Sequence, residues 1–222
     1  MINLPSSTYV GKVVPKEKFY SKCAVSTAVK NLFVKFVEQI VWHGKLTAQT
    51  MATERGLLVN EIDVFEVKMK LAECPRKLFE FIDQNLHHHN VFVLTFDNQE
   101  KLFVNFKEKE KDTTFLEVFE TPWKTAEESI FDLFGGNMDE IYESIVRSAA
   151  TDYVIARSEA TKQSKTSLKD YIIQSKQNAK IQAQIEKLEK KLANEKQFNR
   201  QVEIRAEIRK LEKSFREVTD VS

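Results

Sequence analysis

The stretch that decides the fold reads NEIDVFEVKMKL and spans residues 60–71. Apolar and polar residues alternate in it with the two-residue period of a β-strand. The apolar set changes face along the stretch, because Ile62 and Val64 share one side whereas the odd-numbered residues from Phe65 to Leu71 share the other. The pattern therefore predicts a long central strand with a local bulge or twist near Val64 and Phe65.

Glu66 and Lys68 form the most specific chemical pattern in this strand. A Glu-x-Lys triplet places a carboxylate and an ammonium on one strand face, where the first can bind Mg²⁺ and the second can orient water. A metal-dependent nuclease using Glu66 and Lys68 is therefore one hypothesis. Such a site needs a second acid, and Asp63 lies on the opposite face unless a bulge intervenes. A solvated Glu–Lys pair explains the same residues, and we prefer that interpretation.

The segments around this strand predict an α+β fold, with a mixed sheet of about four strands packed by helices. Ser26 is a typical N-cap, and apolar residues recur at helical spacing from Val29 to Val41. We therefore expect a helix over residues 26–43 that ends at Gly44. Further elements are predicted as an edge strand at 9–14, a helix at 75–86, strands at 91–96, 102–106 and 115–119, and helices beginning at Thr125 and at Asn137 or Asp139.

The last part of the chain lacks strong helix breakers, because all five Gly and four Pro lie at or before Gly136. Residues 1–153 are predicted to form the globular domain. Residues 154–168 are mostly polar and predict a linker, and residues 169–218 carry the heptad spacing of a coiled coil.

Two apolar blocks in residues 169–218 recur every three or four residues, but the blocks are out of register with each other. We expect one long helix with a register shift, and a helical hairpin that reverses near residues 194–199 is the alternative. An apolar seam of this kind must be covered from water by a second copy of the chain, by another protein, or by the other half of the same segment. The predicted interface residues are Ile181, Ile185, Leu188, Leu192, Ile204, Ile208, Leu211 and Phe215.

The formal net charge of +1 hides an asymmetry along the chain. Residues 1–155 carry 18 basic and 23 acidic side chains, whereas residues 156–222 carry 16 and 10. The basic tail offers a hypothesis of nucleic-acid binding through phosphate contacts, although interleaved glutamates favour a coiled coil. The candidate nucleic-acid contacts are Lys190, Lys191, Arg200, Arg205 and Arg209.

Several classes of function lack a signature. Cys23 and Cys74 are widely spaced and are interpreted as reduced thiols of a cytoplasmic protein. There is no signal-peptide pattern and no apolar run of about 18 residues, so no membrane association is expected. The three histidines at 87–89 point in divergent directions and predict a polar loop rather than a metal site. No phosphate loop or nucleophile motif is present, so we expect no cofactor and no catalysis.

Ordered matches along nearly the whole chain resemble the bacterial and archaeal family called domain of unknown function 4391. The matching residues are Leu4-Pro5, Val14-Pro15-Lys16 with Phe19-Tyr20, Ile40-Val41-Trp42 with Lys45-Leu46, Glu61-Ile62 leading into Val64-Phe65, Phe81-Ile82-Asp83, Val91-Phe92-Val93-Leu94, the Trp123 region, Asp139-Glu140-Ile141-Tyr142-Glu143, and Glu195-Lys196-Gln197-Phe198-Asn199-Arg200.

This resemblance implies no established activity and transfers no site residue. Genes of the family often neighbour helicases and DNA methyltransferases of restriction or phage-defence type. The resemblance therefore implies a non-catalytic accessory subunit of a DNA-processing system. The partners to expect are a second copy of the chain, a helicase-type or methyltransferase-type protein, or both.

Overall fold

The computed structural model of the chain describes residues 4–21, 25–107, 117–125, 133–150, 168–195 and 197–219. The chain divides into two compact units, Met1–Ala156 and Arg157–Ser222. The first unit contains the sheet and its helices, and the second contains two long helices. The predicted linker at 154–168 and the helix predicted to begin at Thr125 fall largely outside the described residues, as does Cys23.

Among its described residues, the first unit is built on a mixed sheet of seven strands, which is larger than the sheet of about four strands predicted from the sequence. The spatial order is β1-β2-β3-β4-β5-β6, and β7 pairs with β5 beside β6. Only β3 and β4 are parallel among the described pairs. The strands are β1 (Tyr9–Val13), β2 (Val37–Thr47), β3 (Glu61–Met69), β4 (His89–Phe96), β5 (Gln99–Phe106), β6 (Glu117–Glu120) and β7 (Lys124–Thr125).

Helices cover both faces of this sheet. The face that bears Phe65 and Val67 packs against α2 and α3 and is called the α2/α3 face. The opposite face packs against α4, where Tyr142 stacks on Phe106, and is called the α4 face. The parallel pairing of β3 with β4 requires a crossover, which α3 supplies. The helices of this unit are α1 (Glu17–Ser21), α2 (Thr27–Phe36), α3 (Arg76–Gln84) and α4 (Met138–Ala149).

The sequence interpretation of residues 26–43 as one helix is wrong beyond Phe36. Ser26 caps α2 as expected, but the chain then enters β2 at Val37. The register between β2 and β3 shifts at Glu38. This bulge leaves Val37 and Ile40 buried three residues apart, and a spacing of three imitates a helix. The predicted helix stop, Gly44, is a buried residue inside the strand.

The predicted irregularity near Val64 and Phe65 lies in the neighbouring strand instead. Strand β3 pairs with β4 in continuous register from Ile62 to Lys68. The bulge falls at His43 of β2, between the partners of Phe65 and Val64. The apolar set of β3 changes face because each face is covered: Ile62 and Val64 are buried on the α4 face, and Phe65 is buried on the other.

Asp139 in the first turn of α4 holds a loop that precedes β3. Its carboxylate accepts three backbone hydrogen bonds, from Leu57 at 2.7 Å, Leu58 at 3.1 Å and Val59 at 2.8 Å. Gly56 permits this approach, since a Cβ there would lie 2.4 Å from Asp139 Oδ1. The side chains of Leu57 and Leu58 are exposed whereas Val59 is buried, so the carboxylate holds the exposed part of the loop and Val59 also packs into the core.

The second unit is a helical hairpin rather than the single long helix that we expected from the lack of Gly and Pro. It consists of α5 (Leu168–Asn194) and α6 (Phe198–Thr219), which pack against each other. The connection spans only residues 195–197, so the helices run antiparallel. Gln201 Nε2 donates to the Glu195 carbonyl at 2.6 Å, which satisfies a backbone acceptor at the reversal. The alternative considered from the register shift is therefore the observed arrangement.

The loop held by Asp139 generates the first testable prediction. Replacement Asp139→Ala leaves three backbone donors without their charged acceptor, and we expect the free energy of unfolding to fall by about 2–4 kcal/mol. The matched control is Glu143→Ala on the same helix, where the lost partner is the exposed Arg147. That change should cost less than about 1 kcal/mol. Urea unfolding of both variants measures the difference, and equal losses would contradict the anchoring role.

Candidate functional site

Polar side chains interrupt the apolar surface of the α2/α3 face at the amino ends of β3 and β4. Asp63 of β3 pairs in register with Asn90 of β4, and both are buried. The C-terminal turn of α3 lies over this region and contributes Asp83, which is 0% exposed. Buried carboxylates are costly unless they are compensated, so these groups are the natural place to look for chemistry.

Asp83 is compensated by a buried network. Lys107 Nζ lies 3.0 Å from Asp83 Oδ1, and both side chains are 0% exposed. Asn90 and Asn105 donate to the two carboxylate oxygens at 2.6 Å and 2.9 Å. Burial raises the pKa of the Asp83 carboxyl, while the attraction of Lys107 and the amide hydrogen bonds oppose the shift. Among the described residues, Asn90 Oδ1 and Asn105 Oδ1 are buried without a hydrogen-bond partner. The bonds to Asp83 nevertheless connect α3 to β4 and β5, and we assign the network to holding α3 on the sheet.

The cost of burying the Asp63 carboxylate is only partly compensated by hydrogen bonds. Its residue is 7% exposed, and Trp42 Nε1 donates to Oδ1 at 2.9 Å. Within the part of the chain that the structure describes, Oδ2 accepts no hydrogen bond. Burial, and secondly the neighbouring carboxylate of Glu61, raise the pKa of Asp63 to about 6. His88, the Trp42 hydrogen bond and Lys45 act in the opposite direction.

Glu61 differs from Asp63 because it sits in an ion pair. Lys45 Nζ lies 2.5 Å from Glu61 Oε2, and His88 Nε2 lies 3.7 Å from Oε1. Asp63 shares the strand face of Glu61 without a lysine contact of this kind among the described residues.

A cavity of about 360 Å³ opens beside Asp63. Strands β1, β2 and β3 form one side, and α1 with the residues that follow α3 forms the other. Lys12 of β1 is opposite Trp42, and Trp42 is opposite Phe65, so the three share one face of the sheet. The lining residues are Lys12, Val14, Lys18, Phe19, Trp42, Asp63, Phe65, Asn85 and Leu86.

The candidate nuclease residues Glu66 and Lys68 project from the α4 face, opposite to Asp63. Glu66 Oε2 lies 3.4 Å from His43 Nδ1, and Lys68 Nζ lies 2.8 Å from Glu38 Oε1. Each candidate residue therefore has its own surface partner. No group of three or more metal-binding side chains occurs among the described residues.

The histidines at 87–89 have different environments, and the prediction of a polar loop is wrong for His89, which begins strand β4 and is buried. His87 is exposed, His88 is half-buried near Glu61, and His89 is buried against the ring of Tyr142, with ring centroids 4.4 Å apart. Cys74 is a free thiol, and burial raises its pKa to about 12, so it stays protonated at neutral pH.

The predicted interface residues lie on the inner side of the hairpin. Ile204 and Ile208 of α6 are buried. The other predicted positions with described side chains are half-buried, and the side chain of Phe215 lies outside the described set. The five basic candidates are exposed, namely Lys190, Lys191, Arg200, Arg205 and Arg209.

A family model covers nearly the whole chain, since it matches residues 2–215. The chain belongs to the family described as Domain of unknown function (DUF4391). No curated protein and no solved structure matches the chain. No helix within the described part of this DUF4391 chain is long and apolar enough to cross a membrane.

Sequence reasoning did not identify the cavity of this DUF4391 protein. The sequence pattern predicts a helix at Trp42, and this prediction gives no reason to expect a contact between Trp42 and Asp63. The sequence feature that does indicate this site is Asp63, an acidic residue of the predicted strand with apolar neighbours, Ile62 and Val64. Lys107 carries no local signal, because only the tertiary structure brings it to Asp83.

The raised pKa of Asp63 generates the second prediction. At pH below about 4 the carboxyl is protonated in both the folded and the unfolded chain. Between pH 4 and 6 the unfolded chain releases the proton while the folded chain retains it, so stability falls as pH rises. The loss corresponds to about 3 kcal/mol above pH 6.

Asp63→Asn removes this titration and preserves the acceptor for Trp42. We expect the variant to gain about 2–3 kcal/mol over the parent between pH 4 and pH 7.5, because only the parent loses stability as pH rises. Urea unfolding of both chains at the two pH values measures the change. A difference in stability that does not depend on pH would contradict the assignment of the raised pKa to Asp63.

Proposed function

We propose that this DUF4391 protein is a non-catalytic assembly subunit that binds its partner through the C-terminal hairpin. The observation that carries the proposal is the incomplete burial of the hairpin seam. Ile181, Ile185, Leu188 and Leu192 of α5 remain partly exposed although α6 packs against α5. A two-helix unit covers one side of each helix, and further helices are needed to enclose such a seam.

The charge pattern agrees with an assembly surface. Exposed positions of α5 and α6 alternate basic and acidic residues, for example Lys187 with Glu186 and Arg205 with Glu203. Mixed charges beside an apolar seam set the choice and orientation of partner helices in coiled coils. An apolar seam flanked by charges of both signs favours a helical partner over a partner with a flat apolar surface.

The class of partner comes from the family resemblance. Because its relatives are expected beside helicases and DNA methyltransferases, we propose a cytoplasmic DNA-processing complex of restriction or phage-defence type. A second copy of the chain, a helicase-type subunit or a methyltransferase-type subunit would each supply the missing helices.

The alternative of a metal-dependent nuclease at Glu66 and Lys68 receives less support from the geometry. The two side chains share a strand face, but their contacts are His43 and Glu38. The nearest acid along the strand, Asp63, projects from the opposite face. These contacts are those of surface ion pairs, and no observation specifically favours a nuclease.

The third prediction concerns assembly of the full chain. We expect light scattering to report a complex, either a homo-oligomer or a complex copurified from the native host. Replacing Ile185 and Leu188 by Gln reduces the apolar seam and should weaken that complex by at least about tenfold in Kd, because each buried aliphatic side chain contributes about 1.5–3 kcal/mol.

The matched control replaces the exposed neighbours Glu186 and Lys187 by Gln, which leaves the seam intact. Circular dichroism of both variants checks that the helices persist. A truncation to residues 1–160 should abolish association. The proposal fails if the full chain is monomeric in both preparations, or if every complex survives the truncation.

A second candidate function is nucleic-acid binding through the hairpin. It is favoured by the exposure of all five basic candidates and by the excess of basic residues in 156–222. Lys190, Lys191 and Arg200 lie close to the helix reversal, so the hairpin end concentrates positive charge that phosphates would neutralise.

The fourth prediction tests this candidate by salt dependence. If Lys190, Lys191 and Arg200 contact phosphates, the triple change to Gln should lower the slope of log K against log salt by roughly 2–3 for duplex DNA. Lys30→Gln on α2 is the control and should leave the slope unchanged. Fluorescence anisotropy with a labelled duplex measures both, and an affinity indifferent to salt would remove this candidate.

A further inference from the structure

We propose that the cavity beside Asp63 binds a purine nucleotide, with the base against the aromatic wall and Asp63, and the phosphate at Lys12 and Lys18. This site lies in the first unit and is independent of the assembly role of the hairpin. The proposal rests on the shape of the cavity, on one incompletely bonded carboxylate and on two lysines at the rim.

The walls of the cavity suit a flat aromatic ring. Trp42, Phe19 and Phe65 contribute three aromatic side chains, and ring–ring contacts favour planar heterocycles in such sites. The volume of about 360 Å³ lies in the range of small-molecule pockets. Both a base and a sugar therefore fit, whereas inorganic phosphate alone would leave the aromatic wall uncovered.

The Asp63 carboxylate selects a ligand with N–H donors. Oδ1 accepts one hydrogen bond, from Trp42, and Oδ2 accepts none within the described residues, so both oxygens keep lone pairs for the donors of a ligand. An ionised carboxylate only accepts hydrogen bonds. Guanine presents an imino and an amino N–H side by side on one edge, adenine presents a single amino group there, and phosphate presents no N–H donor. We therefore expect guanine nucleotides to bind more tightly than adenine nucleotides.

The lysines select an anionic group at the other end of the ligand. Lys12 and Lys18 are exposed and line the cavity. Neither forms an ion pair with a described residue. A cationic ligand would satisfy Asp63 but would be repelled by both ammonium groups. A nucleotide carries donors on the base and negative charge on the phosphate, so it complements the carboxylate and the lysines together.

Binding should depend on pH because Asp63 must be ionised. The charged and titratable groups around it are Glu61, His88 and Lys45, with Lys12 and Lys18 across the cavity. A protonated Asp63 would offer a donor where the base also offers donors. We therefore expect affinity for guanosine 5′-monophosphate to fall by roughly tenfold from pH 7.5 to pH 5.

The experiment is isothermal titration calorimetry of the full chain. The probes are guanosine, adenosine and uridine 5′-monophosphates, inorganic phosphate, and a short guanine-containing single-stranded oligonucleotide. We expect guanosine monophosphate to bind most tightly of the mononucleotides and phosphate not to bind measurably. Tighter binding of the oligonucleotide would identify a terminal or unpaired nucleotide of a nucleic acid as the source of the same chemistry.

Two sets of variants place the site. Asp63→Asn keeps the shape and the Trp42 hydrogen bond but removes the charge, and should weaken guanosine monophosphate by about tenfold or more. The double change Lys12→Gln with Lys18→Gln alters exposed side chains only and should weaken it by about threefold to tenfold. Lys30→Gln on α2, outside the cavity, is the control and should have no effect.

The outcomes separate clearly. Failure of all nucleotide probes to bind at millimolar concentration overturns the proposal. Equal binding of phosphate and nucleotides overturns recognition of the base. Binding that survives both the Asp63 variant and the double lysine variant shows that the nucleotide sits elsewhere and overturns the assignment. The proposal is supported if nucleotide affinity falls in the Asp63 variant and in the double lysine variant, while the control binds as the parent does and all variants still unfold cooperatively.

Discussion

The burial of both faces of β3 is the constraint on which the first unit depends. Its parallel partner β4 is reached through α3, which packs on one face of the sheet, while α4 packs on the opposite face against β5 and β6. A strand in this position needs apolar residues on both sides wherever it is covered. Ile62 and Val64 meet that need on the α4 face, and Phe65 and Val67 meet it on the other. Glu66 and Lys68 lie where the cover of the α4 face ends.

The same constraint explains the polar end of the α2/α3 face. Asp83 and Lys107 form a buried ion pair, and two asparagine amides donate further hydrogen bonds to Asp83. Asp63 has an indole donor and an open cavity instead. A buried carboxylate left with one donor costs folding free energy. Such a cost beside an open cavity agrees with our proposal that this position binds a ligand.

The two units solve the burial of apolar residues differently. The sheet encloses its core between helices, so its central side chains reach nearly complete burial. Within the described part of the second unit, α5 and α6 pack against each other, and the apolar seam of α5 stays partly exposed. This contrast underlies our two proposals, ligand binding by the first unit and assembly through the second.

The sequence by itself determined the elements whose residue pattern is compatible with only one type of secondary structure. The strand at β3, the helix α3 after Pro75, and α4 with its Asn137 cap follow from local periodicity and capping. Tertiary structure alone decided β2, because a bulge at Glu38 gives a strand the spacing of a helix. It also decided the pairing of Asp63 with Trp42 and of Asp83 with Lys107, since residues distant in sequence carry no local signal of contact. The heptad blocks of the tail specified an apolar seam, but only packing showed that the chain reverses to cover it.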